Sequence, residues 1–178
     1  MAQSNGLTKV TRIAPGGQER QDSIYNALKM ISPDNSNAPD ESFILIHDGV
    51  RPCIPGGVIE RLLEGMDGVD GVIPAVPVKD TIKEVDEEGM VRVTLDRERV
   101  RAIQTPQLFQ YRILRRAYDR AFAEGFYGTD DAALVERAGG KIRTIAGSPL
   151  NIKVTTQEDL AIVEYLLKAQ GSNGGLEQ

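Results

Sequence analysis

The stretch His47-Asp48-Gly49-Val50-Arg51-Pro52 sets a carboxylate and a guanidinium three residues apart, directly behind the apolar run Phe43-Ile44-Leu45-Ile46. A short continuous apolar run suits a strand covered on both faces, as in a parallel sheet. Ligands of open α/β sheets bind beyond the carboxyl ends of such strands. An aspartate there is placed to hold a metal ion or a ribose hydroxyl, and Arg51 offers a planar fork that matches phosphate oxygens. A structural Asp–Arg pair fixing the turn is the alternative, and the strand-end position favours function. His47 reads as structural, or as a neighbour that orients Asp48.

Three further segments carry groups that could do chemistry. Gly16-Gly17-Gln18-Glu19-Arg20-Gln21-Asp22-Ser23 joins glycines to the start of a helix. Glycines allow close backbone approach to a ligand, and a helix start offers free N–H groups. A plain glycine turn with Ser23 as N-cap explains the same residues and is favoured on the local pattern. Lys79-Asp80-Thr81, Asp96-Arg97-Glu98-Arg99 and Thr105-Pro106-Gln107 flank a polar-tipped arm. With Arg101, these cations form a basic cluster suited to an anionic ligand, against the alternative of a solvated charged arm. Lys153, in Asn151-Ile152-Lys153-Val154-Thr155, is a phosphate contact or a surface charge.

Composition narrows the classes. The 178 residues are 40% hydrophobic and 26% charged, which describes a soluble globular domain with a sizeable core. Lys plus Arg number 21 against 26 Asp plus Glu, a net charge of −5 with no basic block, so general nucleic-acid binding is not expected. Cys53 and His47 stand alone in their types, which excludes a disulfide framework, a multi-cysteine metal site and a histidine relay. No apolar run approaches the roughly 20 residues of a membrane span. The first six residues have neither the basic flank nor the apolar stretch of a signal peptide, so the expected location is the cytoplasm. Walker, dinucleotide-binding, nucleophile-elbow and zincin motifs are missing.

Strands and helices alternate along the chain. Leu7–Ile13 predicts a short strand, Asp22–Ile31 a helix, residues 33–40 a surface loop, Phe43–Ile46 a strand, Pro55–Gly65 a helix and Gly71–Val78 a second apolar strand. Thr81–Leu95 predicts a β-hairpin turning at Asp86-Glu87-Glu88-Gly89. Leu108–Glu124 predicts a long helix, Asp130–Ala138 another with Thr129 as N-cap, Lys141–Ala146 a strand and Thr156–Ala169 a closing helix. The expectation is one α/β domain over residues 1–170 with a mostly parallel sheet, an arm at about 79–97 and a disordered tail over 171–178.

Taken together, Pro15-Gly16-Gly17-x-x-Arg20-x-x-Ser23, His47-Asp48-Gly49-x-Arg51-Pro52, Lys79-Asp80-Thr81, Asp96-Arg97, Thr105-Pro106-Gln107, Thr129-Asp130-Asp131 and Asn151-Ile152-Lys153-Val154-Thr155 form an ordered series. The series resembles the 2-C-methyl-D-erythritol 4-phosphate cytidylyltransferase family from about Leu7 to Leu167. The resemblance implies a Rossmann-like nucleotidyltransferase fold. It implies transfer of CMP from CTP to methylerythritol 4-phosphate, with pyrophosphate released and Mg²⁺ assisting. Gly17 and Ser23 would line the cytosine pocket. Asp48 would meet the ribose and the metal, Arg51 would hold the substrate side, and Lys153 would neutralise the α-phosphate. Thr81, Arg97 and Thr105 would bind the sugar-alcohol phosphate, with the arm carrying Thr81 and Arg97 reaching in from the partner of a homodimer. The related ribitol-phosphate cytidylyltransferases share much of the series.

Two departures accompany the resemblance. The family's N-terminal strand and glycine-rich loop, with an Arg and a Lys, have no counterpart here. The expectation is therefore a chain lacking roughly the first 60 to 70 residues of a ~200–250-residue domain, with a non-catalytic remnant that folds and dimerises as the alternative. Leu150 also stands where the family commonly carries an acidic residue.

Overall fold

The computed structural model describes residues 6–31 and 42–172. The predicted loop at 33–40 and most of the predicted tail lie outside them. The chain divides into two compact units, Met1–Ile44 with Phe109–Gly140, and Leu45–Leu108 with Lys141–Gln178.

In the first unit, α1 (Arg20–Ile31) buries Gln21 and Leu28. Asp22 Oδ2 accepts a hydrogen bond from the Glu19 amide at 2.9 Å, satisfying a donor the first turn leaves open. Helix α3 (Tyr111–Ala123) buries Leu114, Ala117, Tyr118 and Ala121, a spacing that falls on one helical face. Helix α4 (Asp131–Arg137) packs there with Ala132, Leu134 and Val135 buried. Its N-cap is Asp130, not Thr129: the Asp130 side chain accepts from the Ala133 amide at 2.9 Å. The Tyr25 and Phe122 rings stack at 4.3 Å.

The predicted strand over Leu7–Ile13 does not form. The segment makes short-range turns, and Leu7, Val10 and Ile13 are exposed. Alternation gives a strand only where another strand takes its hydrogen bonds, and none does among the described residues.

The second unit is built on β2 (Gly71–Pro77), whose first five residues are buried. Strand β7 (Ile142–Ala146) pairs with it in parallel, Gly71 opposite Ile142 through Ala75 opposite Ala146. Strand β5 (Arg101–Ile103) pairs antiparallel, Ala75 opposite Ile103. Helix α2 (Val58–Glu64) places Leu62 into a core with Met66, Val72 and Leu108. Helix α5 (Gln157–Ser172) closes the chain and runs through Gly171 and Ser172, which the sequence assigned to the tail.

The hairpin forms as predicted, from β3 (Lys83–Val85) and β4 (Val91–Thr94). Asp86 Oδ1 accepts from the amides of Glu88 and Met90 to close its turn. All seven strand residues are exposed, including Val85, Val91 and Val93.

Two strands lie outside the sequence pattern: β5, and β6 (Gln107–Gln110), of which Leu108–Gln110 falls in the predicted long helix. Leu108 and Phe109 belong to the sheet, and the helix begins at Tyr111. With β1 (Phe43–Ile46), the five-stranded sheet runs β1-β6-β2-β5, with β7 also on β2. The fold is α/β with a mixed sheet.

Candidate active site

Four of the sequence-predicted residues converge in the second unit, on loops that leave strands. Asp48 and Arg51 follow β1, Thr105 follows β5, and Lys153 lies on the segment between β7 and α5. The Asp48 and Arg51 side chains are about nine-tenths buried, at 10% and 11% exposure. Asp48 Oδ2 stands 3.2 Å from Lys153 Nζ and 3.8 Å from Arg51 Nε. One carboxylate thus sits between two cations. Burial holds the Arg51 guanidinium below its ordinary value, and the Asp48 carboxylate pushes back. The guanidinium stays charged, as arginine does in proteins.

Arg51 Nη1 donates to the Asn151 carbonyl at 2.8 Å. Its Nε has no hydrogen-bond partner among the described residues, a buried donor facing the cluster. His47 orients this loop, as one of its two sequence readings had it. Its Nε2 lies 2.9 Å from the Arg51 carbonyl, and its Nδ1 lies 3.0 Å from Thr105 Oγ1. Thr105 Oγ1 also accepts from the Asp48 amide at 3.0 Å. Thr105 is 4% exposed, so its hydroxyl is built into the frame of the site.

Thr81 and Arg97 lie at the base and exit of the hairpin. Both are exposed, and among the described residues the Arg97 side chain reaches only Glu98, at 3.9 Å. The structure does not bring them into the Asp48 cluster of their own chain. An apolar cavity of about 520 Å³ opens beside the arm, lined by Val76, Pro77, Ile82, Ala102 and Pro149 with Lys79 at its edge.

Gly17 and Ser23 belong to the first unit. Ser23 Oγ accepts from the Gly17 amide at 2.9 Å and donates to the Glu19 carbonyl at 3.3 Å. Ser23 therefore closes the glycine turn instead of capping α1. A side chain on Gly17 would collide with Asp22, so only glycine fits. Arg20 is tied to the fully buried Asp131 at 2.7 Å, and Asp131 also accepts from the Tyr118 hydroxyl.

For a metal ion, the cluster offers Asp48. Among the described residues no group of three or more His, Cys, Asp or Glu side chains comes together. Mg²⁺ commonly takes one or two carboxylates and completes its shell with substrate phosphates and water. The donor set fits such a substrate-bridged ion and does not fit a protein cage.

Sequence reading missed two members of the site, Gln104 and Asn151. In the sequence, Asn151 stands out only as the start of the Lys153 segment, and Gln104 lies unmarked beside Thr105. Their polar side chains next to the chosen residues were the available signal.

Comparison with known proteins matches residues 2–169 to the family model of 2-C-methyl-D-erythritol 4-phosphate cytidylyltransferase. A protein of that name from Geotalea uraniireducens is 47% identical over 167 residues, covering 94% of this chain and 70% of the relative. One from Syntrophus aciditrophicus is 43% identical over 164 residues, covering 92% of this chain and 68% of the relative. The crystal structure of the enzyme of that name from Thermus thermophilus superposes with a TM-score of 0.73 at 31% identity, over 86% of this chain and 71% of that one.

Proposed function

The chain belongs to the 2-C-methyl-D-erythritol 4-phosphate cytidylyltransferase family, and we propose that it performs the family's CMP transfer with the Asp48, Arg51 and Lys153 cluster as its charge-neutralising centre. The observation that carries this reading is the pair of cations held on one buried carboxylate.

The reaction is an in-line displacement. A phosphate oxygen of the acceptor attacks the α-phosphorus of CTP, the bond to the β-phosphate oxygen breaks, and pyrophosphate leaves. The acceptor phosphate attacks as its anion, so no general base is required, in keeping with a chain whose single histidine is engaged in the frame of the loop. Both reactants are anionic. The protein's task is to position them and to neutralise the charge that gathers at the α-phosphate.

Lys153 is 44% exposed and, among the described residues, paired only with Asp48, so it can turn to an incoming phosphate without deep burial cost. Arg51, held by its Nη1, presents its remaining donors to the acceptor side. By family resemblance, Gly17 and Ser23 take the cytosine. Asp48 would meet the ribose and would hold Mg²⁺, which would add positive charge at the triphosphate.

Thr81 and Arg97 serve the acceptor, supplied by the partner of a homodimer, while Thr105, its hydroxyl taken up by His47 and the Asp48 amide, frames the site. The exposed valines of the hairpin support that assembly, since an isolated two-stranded arm is marginal alone. No helix among the described residues is long and apolar enough to cross a membrane.

The test is pyrophosphate release from CTP with methylerythritol 4-phosphate, run beside ribitol 5-phosphate. With the family's glycine-rich N-terminal loop supplied, turnover with methylerythritol 4-phosphate, abolished by Lys153→Ala, is expected. Preference for ribitol 5-phosphate would reassign the acceptor. No turnover with either acceptor would return the chain to a non-catalytic, dimerising role.

A further inference from the structure

We propose that Asn151 is a positioning residue for phosphoryl transfer. With Gln104, it clamps the loop that carries Lys153 to the strand end that carries Thr105, and so holds Arg51 and Lys153 around Asp48. The inference rests on the proposed function for its meaning in catalysis, and on the geometry alone for the clamp.

Residues 151–154 have no regular secondary structure, and Lys153 is too exposed for packing to fix it. A flexible four-carbon stem in that setting has much rotamer freedom to lose. Its position must come from bonds on either side. On the far side, the Val154 amide donates to the Val50 carbonyl at 2.9 Å.

On the near side stands Asn151, 1% exposed. Its Nδ2 donates to the Thr105 carbonyl at 2.8 Å. Its own carbonyl accepts from Arg51 Nη1 at 2.8 Å and faces Gln104 Nε2 at 3.4 Å. Gln104 returns the grip. Its Nε2 donates to the Ser148 carbonyl at 2.8 Å, and its Oε1 accepts from the Ser148 amide at 3.2 Å. The approach is close enough that a side chain on Gly147 would lie 2.5 Å from Gln104 Oε1.

Two amide side chains therefore face each other across the gap, each bonding the other's backbone segment. The donor half of Asn151 is what the position uses. Its Oδ1 is buried without a hydrogen-bond partner among the described residues, a cost that an apolar side chain of similar size would avoid. That apolar side chain would also release Thr105 from the loop. Since Arg51 bonds the backbone of Asn151 and Lys153 follows two residues on, both cations of the centre are referenced to this one residue.

The clamp is tested with Asn151→Ala, Gln104→Ala and, as a control that weakens the core away from the loop, Leu62→Ala. The side-chain NMR signal of Lys153, assigned by its loss in Lys153→Arg, is the primary readout, with thermal melts alongside. In both clamp variants the signal is expected to move to the position of solvent lysines and to lose its response to Asp48→Asn. In Leu62→Ala it should stay in place although the melt falls.

For transfer, kcat is expected to fall about 10- to 100-fold in Asn151→Ala with KM for CTP within about twofold, the cost of a misplaced group. A Lys153 signal unmoved in the clamp variants, or moved equally by Leu62→Ala, overturns the proposal. Should Asn151→Ala fail to fold, Gln104→Ala decides. If the parent chain transfers no CMP, the proposed function fails while the Lys153 signal still decides the clamp.

Discussion

The Thr105 hydroxyl donates to His47 Nδ1. A carbonyl can only accept, so the His47 Nε2 that lies 2.9 Å from the Arg51 carbonyl carries the ring proton, and the neutral ring's Nδ1 is left as acceptor for Thr105 Oγ1 at 3.0 Å. The same hydroxyl accepts from the Asp48 amide. The Arg51 carbonyl thus sets the tautomer of the histidine, and a single buried threonine ties that ring to the entry of the Asp48 loop.

Thr105→Val should accordingly destabilise the chain by about 1–3 kcal/mol, because it keeps the shape but strands a buried amide donor and a ring nitrogen. Thr105→Ser retains the hydroxyl and should cost clearly less. Denaturant unfolding midpoints of the two variants separate these outcomes; equal losses would mean that the methyl group, not the hydroxyl, matters.

Asp131 anchors the helix behind the Gly17 turn. It is fully buried, and its partner Arg20 is about one-third exposed. Burial first, and the Asp131 carboxylate second, push the Tyr118 hydroxyl far above its ordinary value, so it stays a donor to Asp131 at any working pH. Asp131→Ala should cost about 3 kcal/mol, at the low end for removing one member of a buried pair because Arg20 retains some water. A urea titration reporting a loss below about 1 kcal/mol would show the network to be dispensable.

Helix α5 starts with a reciprocal cap that also ends the Lys153 segment. The Asp159 carboxylate accepts from the amides of Thr155 and Thr156 at 2.9 Å each, and Thr156 Oγ1 accepts from the Asp159 amide. The Thr155 amide first, then its hydroxyl and the Thr156 amide, lower the Asp159 pKa from 3.8. A carboxylate lowered on folding adds stability above its unfolded value, and loses it as pH falls through the folded one. The Thr155 and Thr156 amide signals should therefore titrate together below pH 3.8, and lose that titration in Asp159→Asn. A midpoint at or above 3.8 would remove the cap from the account.

Arg97→Lys tests the acceptor assignment. Lysine keeps the charge but not the bidentate fork. KM for methylerythritol 4-phosphate should rise about ten- to a hundredfold, the worth of a charge-assisted contact, while KM for CTP changes little. Arg51→Lys serves as comparison, since Arg51 stands in the Asp48 centre and should disturb both substrates. Equal small effects of Arg97→Lys on the two KM values would leave Arg97 a surface charge.

The arm is tested by removing Glu84 to Val91, which takes out the tip and most of the exposed valines. Light scattering should report a dimer for the parent and a monomer for the variant. An unchanged dimer would move the interface elsewhere.

Elements whose signals are local are legible in the residues alone. The apolar runs of β1 and β2, the helical spacing of α1 and α3, and the Asp86–Gly89 turn could each be read from a few neighbours. The sequence also determined the family, because ordered motifs survive in one dimension. It did not determine β5 and β6. Neither Arg101-Ala102-Ile103 nor Gln107-Leu108-Phe109-Gln110 carries an apolar run or a turn-bounded alternation, and it is pairing with β2 that makes β5 a strand.

Nor could the sequence determine the site's frame. Asn151, Gln104 and His47 act through bonds across 46, 44 and 58 residues of chain, and a polar side chain does not disclose which distant carbonyl it will meet. Only the tertiary structure decided that Thr105 is buried in the frame while Arg97 is left exposed. That follows from where the strand ends fall in the packed sheet, and not from the residue types, which suit a phosphate contact equally well at either position.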